Sequence, residues 1–381
     1  MARGSIVKRH SGNYAIVYYV DGKQRWETIG TSRREAERAL TARKREVDTG
    51  TWREPSSETL AAYAERWLAR RDPTHAGQGR RTRLSLATFE GYRLNLRRHV
   101  LPRLGDRTLA ALRTEDVDRL VAELEAQGKA PGTVRNIIVP LRKMLADAVR
   151  QSLILANPAA RADLPPAQDF VGKEIPREHT DAIGAALVDL AATDPLRNEP
   201  DTFYVCFFDV ALGTGLRLGE LRALRWRDVD HERKLVRVER AYSRRELRRP
   251  KTESGLRSVP LFPSVAAAFR DLASRAVERG RYAPDELVFG SMRGTPLQPS
   301  NFRQRVWEPA LKLAGLAGES YRFHDLRHTC VSRLVAAGAD VKLVQAVAGH
   351  ANPLITLKRY SHLLDGRVTE AADRFDPARL T

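Results

Sequence analysis

Cysteine is nearly absent. Only Cys206 and Cys330 occur in 381 residues, too few for a disulfide framework or a four-cysteine zinc site, and this thrift implies a reducing compartment. Long apolar runs are missing as well: nothing approaches the roughly 18 apolar residues of a membrane span. Met1 to His10 is polar and basic where a secretory leader would be apolar. The expectation is a cytoplasmic protein with no membrane partner. Acidic charge is in short supply, 47 carboxylate side chains against 65 Lys and Arg, which leaves a net charge of +18. Such an excess favours polyanionic partners, and without a basic amphipathic anchor segment nucleic acid is preferred to a membrane surface.

The length and the 42% of hydrophobic residues suit two or three packed domains. The first 54 residues read as three β-rich runs, Ser5–Lys8, Tyr14–Val20 and Gln24–Ile29, with Asp21-Gly22 forming a hairpin turn. Ser32 and Glu35 then make a capping box for a helix running to about Asp48. Lys8, Arg9, Lys23 and Arg25 are expected on one surface of this module. Residues 55–156 show four amphipathic helical patterns. Leu60, Tyr63, Ala64, Trp67 and Leu68 form one apolar stripe, and Phe89, Tyr92 and Leu96 lie opposite the outward-facing Arg93, Arg97 and Arg98. A third helix ends at Gly128, and a fourth opens near Pro131 with a kink expected at Pro140. Residues 157–173, punctuated by Pro158, Pro165 and Pro166, read as a linker. Residues 174–381 read as mainly helical, with strands at Lys234–Tyr242 and Arg257–Leu261 joined by a very basic turn and a short strand at Leu287–Phe289. The fold class expected is multidomain and mainly α with small β-sheets.

Four segments of this last part carry chemistry. Gly213-Thr214-Gly215-Leu216-Arg217-Leu218-Gly219-Glu220 places an arginine in a glycine-flanked turn opening a helix. Its spacing does not fit a dinucleotide fingerprint, and no Gly-Lys-Ser/Thr follows for a phosphate loop. Arg248-Arg249-Pro250-Lys251-Thr252 puts a lysine on the tip of the basic hairpin, where it either donates a proton in a groove or is simply solvated. His324-Asp325-Leu326-Arg327-His328 lies within a helix, with His324 and Arg327 on one face. Zinc is disfavoured there, because Asp325 stands where the zinc-protease helix needs Glu and Arg327 sets a positive charge beside the metal position. His328 reads as a packed histidine. The fourth segment runs from Ala348-Gly349-His350 to Lys358-Arg359-Tyr360, whose tyrosine taken alone would be assigned to a core.

The order and local context of Arg217, Lys251, His324, Arg327, His350 and Tyr360 resemble the tyrosine recombinase (phage integrase) family of site-specific DNA recombinases. The matching stretches are Thr-Gly-Leu-Arg-Leu-Gly-Glu, Pro-Lys-Thr before the second strand, His-Asp-Leu-Arg-His-Thr, Gly-His and Thr-Leu-Lys-Arg-Tyr. The layout also resembles that family: an arm-type DNA-binding module (1–54), a helical core-binding domain (55–156), a linker (157–173) and a catalytic domain (174–381). The resemblance implies that Tyr360 attacks a DNA phosphate to form a 3′-phosphotyrosyl link. It implies that Arg217, Arg327 and His350 hold the non-bridging oxygens, that His324 assists proton transfer, and that Lys251 protonates the leaving 5′-hydroxyl. The link keeps the energy of the phosphate ester, so no ATP, metal or other cofactor is expected. Implied partners are double-stranded DNA at core and arm sites, three further copies of the chain in a tetramer on DNA, and an accessory bending protein or directionality factor. The segment 368–375 would dock onto a neighbouring copy or pack within its own chain. Rivals are a chromosome-dimer resolvase of the same family, a type IB topoisomerase and a non-catalytic DNA-binding regulator.

Overall fold

A computed structural model of the chain describes residues 3–50, 52, 57–74, 84–167, 172–193, 202–243, 246–249, 255–291 and 293–349. The chain divides into two compact units, residues 1–169 and 170–381.

The first unit opens with strands β1 (Gly4–Lys8), β2 (Tyr14–Val20) and β3 (Lys23–Gly30) in an antiparallel meander in chain order. Both central residues of the β2–β3 turn have positive φ, 47° at Asp21 and 77° at Gly22, which is the geometry that makes Asp-Gly a hairpin signal. Helix α1 (Arg33–Asp48) starts on Ser32, whose hydroxyl accepts from the Glu35 amide at 3.3 Å, and packs Ala36 and Leu40 on Ile16, Tyr18 and Val20. The register corrects one expectation. Lys8, Lys23 and Arg25 pair with Tyr14, Val20 and Tyr18 and so share the face of the sheet that meets the helix, whereas Arg9 stacks on Trp26, which pairs with Val17 on the other face. The four cations therefore do not share one surface.

The rest of this unit is helical: α2 (Leu60–Ala69), α3 (Leu86–Asn95), α4 (Leu101–Leu104), α5 (Thr114–Ala126) and α6 (Pro131–Arg150). A π-turn over Leu96–Val100 joins α3 to α4. The expected apolar stripes form one core that includes Leu60, Trp67, Leu96, Leu120 and Ile137. Pro140 lies inside α6, which continues past it for ten residues. Asp116 and Asp147 are carboxylates buried in this unit, and the second of them links two helices. Asp147 accepts from the Trp67 indole at 2.6 Å and pairs with Arg71 and Arg150, so that α2 and α6 are joined by a charge-assisted link. Of the three outward arginines, Arg97 is already engaged by Glu65 through two hydrogen bonds of 2.7 and 3.1 Å.

The second unit contains α7 (Arg177–Thr193), α8 (Phe203–Thr214), α9 (Leu218–Leu221), β4 (Val229–Asp230), β5 (Leu235–Val238), β6 (Ala241–Ser243), β7 (Glu246–Arg248) and β8 (Arg257–Pro260). After these come α10 (Pro263–Glu278), α11 (Pro299–Phe302), α12 (Glu308–Leu313), α13 (Asp325–Ala336) and α14 (Val341–Ala348). The sheet differs from expectation in two ways. The long strand expected over Lys234–Tyr242 is two strands, because β5 pairs with β8 while β6 turns away to pair with β7 as a separate hairpin. Leu287–Phe289 makes only an isolated bridge, Leu287 to Arg225, because the chain after Arg225 leaves the extended conformation at once in a 3-10 turn over Trp226–Asp228. That core is rich in rings: Phe207 stacks on Phe323 at 5.2 Å and meets Phe289 and Phe302 edge to face.

Replacing Asp147 by Ala strips the Trp67 indole and the Arg71 guanidinium of their buried acceptor, so chemical denaturation is expected to show a loss of about 2 kcal/mol, with Asp147→Asn losing less because its carbonyl still accepts.

Candidate functional site

Arg217 is placed by the chain around it. Helix α8 ends on Gly215, which takes φ 61°, a conformation costly for any side chain with a Cβ. Two residues later Arg217 is the N-cap of α9, its amide donating to Glu220 Oε2 at 2.8 Å and its Nη1 to Oε1 at 2.9 Å. Its side chain keeps 41% of its surface exposed, so the guanidinium is steered while one side remains open to a ligand.

Glu220 also receives a second arginine. Arg257, at the start of β8, donates Nη1 to Oε1 at 3.0 Å and Nη2 to Oε2 at 2.8 Å. Both of these side chains are about 95% buried, with 4% and 5% of their surface exposed. Burial alone would raise the pKa of this carboxyl. The hydrogen bonds and charge of Arg257, the charge of Arg217 and its backbone amide outweigh that and bring it down to about 2. Glu220 is therefore a fixed anion that aligns one exposed and one buried guanidinium.

Arg327 arrives from α13. Its side chain lies in a residue only 4% exposed, and Nη1 donates to the Gly215 carbonyl at 2.7 Å, which fastens it to the turn that carries Arg217. His324 is the N-cap of α13 and precedes the helix rather than lying within it, a correction to the expected helical placement. The turn is held by Asp325, which accepts from the Arg322 amide at 2.8 Å and from its guanidinium at 3.1 Å. The His324 pKa is lowered, first by the crowding of its ring and then by the positive charges of Arg327 and Arg217. The residue is nonetheless exposed, so the imidazole is both accessible and biased toward its neutral, proton-accepting form. His328 is buried with its ring edge-on to His324 at 5.2 Å, and the Gly172 backbone runs so close that a Cβ there would fall 2.2 Å from the ring. It is a packed histidine.

The structure thus brings Arg217, His324 and Arg327 together from segments over a hundred residues apart. Lys251, His350 and Tyr360 lie outside the described residues, as does the segment 368–375. Arg217 Nη2 approaches the Gly349 carbonyl at 3.4 Å, next in sequence to His350. Both cysteines are poor nucleophiles, each thiol pushed up to about 12 chiefly by burial. Among the described residues no three His, Cys, Asp or Glu side chains are grouped to hold a metal, and no helix is long and apolar enough to cross a membrane. Arg257 was the member of the cluster that the sequence reading treated only as strand. The one signal available was a charged residue opening a strand whose Val259, with Leu261 just beyond it, enters the core.

Two guanidinium groups and an imidazole are thus gathered on a mainly helical domain. The sequence model of the phage integrase family matches residues 186–367, which contain all six of the sequence-predicted site residues. The chain is 29% identical over 350 residues to the putative prophage phiRv2 integrase of Mycobacterium tuberculosis, covering 89% of this chain and 85% of that one. It is 24% identical to a XerC-like tyrosine recombinase of Caldanaerobacter subterraneus subsp. tengcongensis, over 75% of this chain and 77% of the relative. In fold it resembles the Tn1549 transposon integrase solved with a circular intermediate DNA, with TM-score 0.65, 20% identity, and 84% of this chain and all of that one covered. It also resembles a lambda integrase tetramer bound to a Holliday junction, with TM-score 0.60, 19% identity, and 93% and 94% covered. Across residues 186–367 the chain matches the phage integrase family, and together these similarities support a tyrosine recombinase.

The Glu220 clamp has a pH signature. A carboxyl whose pKa is lower folded than unfolded stabilises the fold above its unfolded value near 4.5, and this is lost as pH falls through about 2. Denaturant titration is expected to show Glu220→Gln less stable than the parent by about 3 kcal/mol at pH 7, with the gap shrinking to less than half of that at pH 3.

Proposed function

We propose that the chain is a site-specific DNA recombinase, the integrase of a phage or other mobile element, which cuts and rejoins DNA through a 3′-phosphotyrosyl link on Tyr360. The observation that carries this reading is the convergence of Arg217, Arg327 and a neutral-biased His324 around one carboxylate-organised turn. In-line attack on a phosphodiester gathers negative charge on the non-bridging oxygens. Donors fixed in advance lower that barrier most, and planar guanidinium groups can grip two oxygens at once. Arg217 and Arg327 take this role, joined by His350.

The phenol of Tyr360, with an ordinary pKa of about 10, must lose its proton to attack. His324 accepts it, directly or through water, and its lowered pKa keeps the accepting nitrogen free at neutral pH. As the tyrosyl oxygen bonds to phosphorus, the 5′-oxygen leaves and takes a proton from Lys251. One phosphate ester is exchanged for another, so the reverse step, attack by the 5′-hydroxyl of a partner strand, needs no external energy. Residues 1–54 would bind arm-type sites and residues 55–156 the core site. The exchange would take place in a tetramer in the cytoplasm on nucleoid DNA, and accessory proteins would set its direction. The surplus of positive charge would supply much of the DNA affinity through released counterions, making binding weaken steeply with added salt.

A second observation favours an integrase over a chromosome-dimer resolvase. The prophage integrase aligns over 89% of the chain, whereas the XerC of Shewanella amazonensis aligns over 74% of it. With a nicked duplex carrying the attachment sequence of the encoding element, the protein is expected to form a covalent adduct that survives denaturing gel electrophoresis. Tyr360→Phe should bind that duplex within about twofold of the parent, since it removes one hydroxyl and no cation, yet form no adduct. An adduct from this variant would show that another residue is the nucleophile, and unmodified DNA with the parent would favour a regulator.

A further inference from the structure

Arg257 makes more contacts than neutralising Glu220 requires. Two of its donors, Nη1 and Nη2, form the fork onto the carboxylate, and the third, Nε, donates to the Val347 carbonyl at 3.1 Å. That carbonyl belongs to the last turn of α14, where intrahelical partners run out and a cation is favoured by the helix dipole. The same guanidinium fills the space beside the next turn of chain. Gly349 ends α14 with φ 56°, and a Cβ built on it would fall 2.9 Å from Arg257 Cζ and Nη1 and 3.0 Å from Cδ. Helix α14 has eight residues, too few to hold itself. It is packed on α13 through Val331, Val335, Val344 and Ala348. Arg257 is the buried polar tie between its C-terminal end and the turn bearing Arg217, beside the longer 3.4 Å contact that the part-exposed Arg217 makes with the Gly349 carbonyl.

We propose that Arg257 is a positioning residue for the reaction. It fixes the exit of α14, and hence the start of the segment carrying His350 and Tyr360, at a set distance from Arg217. This rests on the recombinase reading and adds to it a residue that touches neither DNA nor nucleophile. The arrangement also explains Gly349 twice over, by its left-handed backbone and by the guanidinium packed against its α-carbon. Six residues before Arg257 in sequence stands Lys251, so one strand start connects three of the segments that must act together.

Removing Arg257 alone leaves the buried Glu220 carboxylate with Arg217 as its one remaining arginine partner, so the test compares Glu220→Gln with the double variant Glu220→Gln/Arg257→Met, in which no buried carboxylate loses its fork. If Arg257 positions α14, the double variant forms the covalent adduct with the nicked duplex about 10-fold to 100-fold more slowly than Glu220→Gln, the scale expected for a misplacement near 1 Å. Its affinity for the duplex stays within about twofold, and hydrogen exchange in the peptide spanning 343–349 speeds up while the rest of the domain keeps its protection. Equal adduct rates and equal exchange in the two variants would overturn the proposal, leaving Arg257 as a counter-charge for Glu220 alone. A parallel loss of binding and cleavage with exchange raised throughout the domain would overturn it too, as a general stability effect. Should the parent form no adduct at all, the recombinase reading fails, while the exchange comparison still decides whether Arg257 holds α14.

Discussion

A buried carboxylate shared by two guanidinium groups is the constraint on which the site depends. Glu220 is 5% exposed, and a lone carboxylate there would carry a desolvation cost of several kcal/mol. It stays ionised because Arg257 meets it with a two-pronged fork and Arg217 adds a side-chain and a backbone donor. The same contacts that keep Glu220 charged decide where Arg217 points. Arg327, reaching the Gly215 carbonyl from α13, ties the other arginine to the same turn. Two cations that would repel each other in free solution are thus held on one short stretch of backbone, which in the proposed reaction is ready before any phosphate arrives. Such advance organisation lowers a reaction barrier without reorganisation at the moment of reaction.

The scaffold beneath is conventional in its physics. In the first unit an aliphatic core with Trp67, Tyr63 and Phe89 is pinned by the Asp147 link, and in the second a cluster of Phe and Trp rings supports both α8 and α13. Helices α8 and α13 matter most to the site, since α8 delivers Gly215 and Arg217 at its C-terminal end and α13 delivers His324 and Arg327 at its N-terminal end. Backbone groups near those helix ends still need partners, and Glu220 and Asp325 supply them for the Arg217 and Arg322 amides.

Much of this was legible in the sequence where a local rule applied. Asp21-Gly22 announced its hairpin because two consecutive positive φ values leave few residue choices, and Ser32 announced α1 by its capping hydroxyl. The apolar stripe from Leu60 to Leu68 is as buried as its spacing demanded. Sequence order also picked out Arg217, His324 and Arg327, which the fold gathers. What escaped depended on contacts between distant residues. The split of Lys234–Tyr242 into two strands follows from β5 pairing with β8 and β6 with β7, which no local periodicity records. The two-faced placement of Lys8 and Arg9 turns on strand register, and the role of Arg257 appears only once Glu220 and Val347 are brought to it.

The account stands or falls on whether these arginines act on charge at one phosphorus. The direct measurement is the single-turnover cleavage rate of the parent and of Arg327→Ala on two duplexes, one with an ordinary scissile phosphate and one with a neutral methylphosphonate in its place. If Arg327 stabilises developing negative charge, the variant loses about 100-fold or more on the phosphate and far less on the methylphosphonate, where there is less charge to stabilise. An equal loss on both substrates would contradict the account, because the arginine would then serve the fold or the binding of DNA and not the chemistry at phosphorus.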